Sequence, residues 1–101
     1  MRMWNVNPKR MCRQHLLGEH VEMHMFSSCL KKGMNLQGYL EKGLVETHNV
    51  KKRHDELAKE MKRRGYNHKS NIGSIGRKIC GKVSVRKNEN ELKIRCKECF
   101  R

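Results

Sequence analysis

Apolar residues in this chain fall into two long helical periods separated by glycine-marked breaks. Between Lys9 and Lys32 there is no proline and one glycine, and Leu17, Val21, Met25 and Cys29 recur four apart, with Leu16, Met23, Phe26 and Leu30 widening the stripe. The pattern predicts a helix over roughly 9–32. It follows Pro8, which suits a first helical turn and not a helix interior, and it stops at Gly33. The stretch before it, MRMWNVNP, reads as ordered but irregular.

Residues 34–46, MNLQGYLEKGLVE, hold two glycines and read as a loop with at most a helical turn. A second helix is predicted over about Thr47–Arg64. Thr47 stands at the N-cap, Val50, His54, Leu57 and Met61 share a face, Lys62, Arg63 and Arg64 suit the last turn, and Gly65 ends it. NIGSIG, at 71–76, reads as a glycine-punctuated linker. The tail supports two readings. KVSVR and LKIRC alternate as hairpin strands do, while NENELKIRCKEC suits a short helix capped by Asn88, and the helix is preferred. The expectation is an all-α, compact single domain spanning 1–101, with two main helices and a short helical tail.

Composition narrows this further. The chain has 101 residues, 36% hydrophobic and 5% aromatic, so one thin core leaning on Met, Leu and Val is expected. The net charge is +14, from 24 Lys and Arg against 10 Asp and Glu. It is uneven: net +4 over 1–34, −1 over 35–50, +5 over 51–69 and +6 over 70–101. Two basic stretches flanking a near-neutral middle point to a polyanion, above all nucleic acid. No signal peptide and no membrane span is read, and five cysteines in such a chain are expected reduced, in a cytosolic setting.

Four groups of residues offer chemistry. In RQHLLGEHVEMH, Gln14, His15, Glu19 and Glu22 fall along one side of the first helix, and amide, imidazole and carboxylate together can bind and move protons. The wet face of an amphipathic helix gives the same pattern. Among six histidines, His20 and His24 stand four apart, a spacing metals use, but HVEMH is not HExxH and a zinc-protease reading fails. CKEC supplies Cys96 and Cys99, half of a zinc site that Cys80 and then His68 or solvent would complete; free thiols are the plainer alternative. In KKRHDELAKEMKRRGYNHKS, Arg63, Arg64, His68 and Lys69 surround Tyr66, an arrangement that suits phosphates and a stacked base and equally a solvated charged face.

Taken together, MRMWNV, QHLLGEHVEMH and RHDELAKEMKRRGYNHKS resemble the pyrimidine-dimer DNA glycosylase family. The likeness is close over about 1–30 and 47–70, with RHDEL…RRGYNHKS its most specific piece. ENELKIRCKEC is loosely similar to the ends of cellular members, many of which finish near a CxxC. The resemblance implies an all-helical enzyme without cofactor or catalytic metal, acting on double-stranded DNA that contains pyrimidine dimers or abasic sites. In that family the α-amine of the chain attacks the anomeric carbon of the damaged nucleotide, the base leaves, and a protonated imine joins protein to sugar. A glutamate on the first helix then assists ring opening and β-elimination, cutting the strand. By position the amine is that of Met1, the glutamate is Glu22, and Arg2, Gln14 and His15 match neighbouring site residues. Arg53, Arg63, Arg64, Tyr66, His68 and Lys69 are expected at the DNA.

Register supports Met1. Arg2 disfavours removal of the initiator methionine, and phage members of the family present the amine on a small residue that precedes the matching position. An α-amine also suits the task, since its reference pKa is about 7.7–8.0 against about 10.4 for lysine. Two departures bear on substrate choice: Val21 stands where the family has arginine before the glutamate, and the aromatic C-terminal segment is reduced to Phe100. The expectation is therefore a monomeric repair glycosylase and abasic-site lyase, cytoplasmic at the nucleoid or viral. The rival is a non-enzymatic ribosomal or architectural protein with a zinc-bound tail.

Overall fold

The computed structural model describes residues 1–68, 71–73 and 80–100. Among them are four α-helices, α1 (Arg13–Lys31), α2 (Gln37–Glu41), α3 (Val50–Arg63) and α4 (Val85–Arg95), two short 3-10 turns (Pro8–Arg10 and Thr47–Asn49), and no strand. The fold is all-α, as the periodicity implies.

The first predicted helix is divided. Asn7 accepts from the Lys9 N–H and Pro8 opens a single 3-10 turn; Met11 then runs extended into the core, and Cys12 caps α1 by accepting from the His15 N–H. Two side-chain caps five residues apart create two starts where the pattern suggests one. The far end is as expected. Gly33, at φ +67°, lets its own N–H reach Leu30 and that of Met34 reach Cys29.

The buried face of α1 matches the predicted stripe at Leu16, Met23 and Phe26 but not at its centre. Leu16, Glu19, His20, Met23, Phe26 and Ser27 point inward, while Val21 and Met25 are 55% and 47% exposed. Glu19 and His20 lie at the centre of the inward face, so an apolar count shifts the stripe off its true axis. α3 packs along this face, burying Val50, His54, Leu57 and Met61 as expected and also Arg53 and Glu60. Thr47 does not cap α3. It sits in the preceding 3-10 turn, and both its N–H and Oγ1 donate to the Cys80 carbonyl.

The tail is helical, but its cap is Ser84, whose Oγ accepts from the Lys87 N–H. Asn88 lies inside α4 and is 3% exposed. Gly81 permits the approach to α4: at φ +88°, a Cβ there would meet the Val45 carbonyl oxygen at 2.2 Å. Of the expected linker, 74–76 lies outside the described residues.

The N-terminal segment is part of the core. Met3, Trp4 and Val6 are 0%, 6% and 2% exposed. With Met11, Met23 and Met61, methionine fills much of the interior, as the composition suggests.

Candidate functional site

The first six residues are held by all three longer helices. From α1, one oxygen of Glu19 accepts the N–H groups of Trp4 and Asn5 at 3.2 and 3.4 Å. From α3, Arg53 donates to the Val6 carbonyl at 2.7 Å. From α4, the Asn88 amide donates to the carbonyls of Met3 and Trp4 at 3.2 and 2.8 Å. The Met3 N–H reaches Leu44 at 2.7 Å. Glu19 and Arg53 are themselves joined by two hydrogen bonds of 2.6 and 2.8 Å, both side chains being 1% exposed or less. A paired buried charge tolerates its position only while every partner stays in place. The segment that carries the terminus is thereby fixed to the interior.

Glu22 stands one helical turn beyond Glu19, half-buried. Its carboxylate is near enough to the backbone N–H of Arg2 and to the Met1 α-amine for both to act on its ionisation. Burial raises its pKa above the ordinary carboxylate value, and Glu19 adds to this. The Arg2 N–H, the terminal charge and the Arg2 guanidinium act the other way without cancelling it. The result is a carboxyl inclined to hold a proton, next to a half-buried chain terminus.

Arg2 itself turns toward the tail. Its guanidinium donates to Asn88 and Glu91 and lies 4.0 Å from the centre of the Trp4 ring, and Glu91 is held below its ordinary value by that contact. Gln14 is exposed on the first turn of α1. His15 lies against thiols, its Nδ1 3.2 Å from Cys12 Sγ and 3.7 Å from Cys99 Sγ. The expected row of Gln14, His15, Glu19 and Glu22 is thus divided: Glu19 is buried support, Glu22 meets the terminus, and His15 meets thiols.

The basic helix also divides. Arg53, expected at a phosphate, is 1% exposed and bonded to Glu19, Glu56 and Val6, so it lies beyond reach of any backbone phosphate. Arg64 is 17% exposed and donates to Glu60 and to the carbonyls of Pro8 and Met11, tying α3 to the turn before α1. Arg63 is 58% exposed, although paired with Glu60 at 2.7 Å. Tyr66 is half-buried, and the cation over its ring is Arg13, at 5.2 Å. His68 lies among histidines, its Nε2 2.9 Å from that of His20. Lys69 lies outside the described residues. Two clefts carry exposed cations: one of about 380 Å³ lined by Lys42, Lys82 and Lys87 beside the half-buried Arg2, and one of about 300 Å³ lined by Lys9, Lys59 and Arg63.

The expected thiol grouping is corrected as well. Cys96 and Cys99 meet Cys12 and His15. Cys80 instead bonds through its backbone to Thr47 and His48. Asn88, Glu91, Cys12 and Arg13 were not legible from the sequence, because each acts on a partner more than 50 positions away.

The described residues form a strongly basic all-helical fold whose N-terminal segment is fixed to the interior, with a carboxyl of raised pKa nearby. The chain belongs to the pyrimidine dimer DNA glycosylase family, whose model matches residues 1–73; this is a family of DNA-repair enzymes with DNA as substrate. Searches of curated proteins and of solved structures returned no match. No helix among the described residues is long and apolar enough to cross a membrane.

Proposed function

We propose that the protein is a DNA glycosylase with abasic-site lyase activity, using the Met1 α-amine as nucleophile and Glu22 as the proton-transfer group. The observation that carries this is the meeting of Glu22 with the terminus, on a segment fixed by Glu19, Arg53 and Asn88. The neutral amine attacks C1′ of the damaged nucleotide, and the base departs with the bonding pair. Loss of the amine proton and opening of the ring give a protonated imine. Removal of a C2′ proton then expels the 3′-phosphate, and water releases the sugar from the amine. Glu22, half-buried and inclined to hold a proton, gives one to the ring oxygen and accepts one at elimination.

Substrates are cyclobutane pyrimidine dimers, abasic sites or both, in double-stranded DNA whose damaged nucleotide is made accessible by flipping or kinking. Gln14, exposed at the start of α1, Arg63 at the end of α3 and Tyr66 just beyond it face that DNA. The cations of the cleft beside Arg2 face its backbone.

The test is borohydride reduction in the presence of abasic duplex. The native protein should be trapped covalently, and Edman sequencing of the trapped complex should be blocked. One added residue displaces the amine by about 3.5 Å, and an error of about 1 Å can cost 10²-fold. An N-terminally extended or acetylated protein should therefore bind abasic DNA and escape trapping. Trapping of the acetylated protein as efficient as the native would assign the imine to a lysine, and no trapping at all would leave a non-enzymatic DNA-binding protein.

A further inference from the structure

We infer that Cys12, His15, Cys96 and Cys99 form a closed tetrahedral zinc site that joins the start of α1 to the chain's C-terminal tail. The four ligand atoms lie within 4.8 Å of one another. Cys12 Sγ is 3.8 Å from Cys96 Sγ and 3.2 Å from His15 Nδ1, and His15 Nδ1 is 3.7 Å from Cys99 Sγ. A tetrahedral zinc ion bonded at about 2.3 Å to sulfur and about 2.0–2.1 Å to nitrogen sets its ligands about 3.8 Å apart for two sulfurs and about 3.5 Å for sulfur and nitrogen. The observed edges bracket those values. They are far too long for a disulfide, whose sulfurs sit about 2.05 Å apart, and all five cysteines are free.

The surroundings suit a metal-bound sulfur. The Cys12 N–H donates to Cys99 Sγ at 3.2 Å and the His15 N–H to Cys12 Sγ at 3.5 Å, the outer hydrogen bonds that hold thiolate ligands in place. Three thiolates and one imidazole in tetrahedral array select zinc over harder or square-planar ions. With four protein ligands the site is structural. Cys12 and His15 come from the part that matches the family, and Cys96 and Cys99 from beyond it. The ion thus ties down the end of α4, the helix whose Asn88 and Glu91 hold Met3, Trp4 and Arg2.

Metal analysis and cobalt substitution of the full chain test this directly. Protein made with zinc should carry the ion, and cobalt exchange should give the near-ultraviolet thiolate-to-cobalt band with tetrahedral visible absorption. Cys96→Ser and Cys99→Ser should each lose the band and one equivalent of zinc, while Cys80→Ser and Cys29→Ser keep both. Should the Cys96 and Cys99 variants not fold, the wild-type cobalt spectrum and the Cys80→Ser control still decide. Absence of a thiolate band in the wild type, or its loss in Cys80→Ser, overturns the assignment.

A separate observation carries a second site. The structure assigns His20, His24, His54 and His68 to another metal ion, held by imidazoles alone. Their ligand atoms also lie within 4.8 Å of one another. His20 Nε2 is 3.1 Å from that of His54 and 2.9 Å from that of His68. His24 Nε2 is buried without a hydrogen-bond partner, an orphan that a metal bond would satisfy. His54 Nδ1 meets the Asp55 carboxylate at 2.9 Å, the usual outer support of a ligating histidine. All-nitrogen ligation suits zinc, copper or nickel, and zinc fits a tetrahedral set. His68→Asn, altering a half-buried residue beyond α3, should lose one equivalent of zinc while retaining the thiolate-to-cobalt band. If it retains all its metal, the cluster is only hydrogen-bonded histidine; if the band disappears with it, the two sites are not separate as assigned.

Discussion

At the scale of single residues, Glu22 is the most exacting test of the proposed chemistry. Glu22→Gln keeps the shape and can still accept the Arg2 N–H, but it cannot exchange a proton. General acid–base groups contribute about 10² to 10⁴-fold. Strand cleavage at abasic sites should fall by about that order with DNA affinity retained, and near-normal cleavage by the folded variant would remove Glu22 from the mechanism. Because burial raises the Glu22 carboxyl above the ordinary value of 4.5, the cleavage profile of the native protein should contain an ionisation above that value. The same ionisation should be missing from whatever activity Glu22→Gln retains.

At the scale of elements, α1 and α3 are joined by buried charge as much as by apolar surface. Removing one member of a buried ion pair typically costs about 3–5 kcal/mol, because the other is left unpaired. Arg53→Met should lower stability by about that amount in denaturant unfolding. It should also weaken borohydride trapping, since Arg53 holds Val6 as well as Glu19. A loss under about 1 kcal/mol would mean that the pair is dispensable. Further along α3, hydrogen bonds from Arg63, then Arg64, hold Glu60 down from 4.5 to about 2 against the opposing effect of burial. A carboxylate whose folded pKa is depressed stabilises the fold above its unfolded pKa, and that contribution is lost as pH falls through the folded one. Stability should therefore decline between about pH 4.5 and 2, and Glu60→Gln should flatten that stretch of the curve at the expense of stability near pH 7.

At the scale of the whole molecule, the +14 charge is divided between structural and available cations. Arg53 and Arg64 are engaged inside the fold, whereas Arg63 and the cleft lysines Lys82 and Lys87 are exposed. Each lost phosphate contact reduces the salt slope of DNA binding by roughly one. Lys82→Ala with Lys87→Ala should lower the slope by about two, and Arg63→Ala by about one. Arg64→Ala should change stability more than slope. Equal slopes for all of these variants would place the DNA footprint elsewhere on the surface.

Local rules in the sequence determined a good deal. Period and breakers define both main helices, because Gly33 and Gly65 adopt positive φ where the stripes end. The α3 face of Val50, His54, Leu57 and Met61 was legible since its apolar members mark it directly. The family was legible because the stretches that resemble it, MRMWNV, QHLLGEHVEMH and RHDEL…RRGYNHKS, are each contiguous in sequence. What only the tertiary structure decided is every pairing across the chain. Glu19 and Arg53 are 34 residues apart in sequence, and each looks like a solvated charge until the other is beside it. The α1 face was displaced for the same reason, its centre being polar. Asn88 acts on Met3 and Trp4 from the far end of the chain. Cys12 and His15 find Cys96 and Cys99 only once α4 has returned across the N-terminal segment, leaving Cys80 aside. A helix period reports which residues share a face; it cannot report what that face meets, because a buried polar group is tolerated only by a partner that another part of the chain supplies.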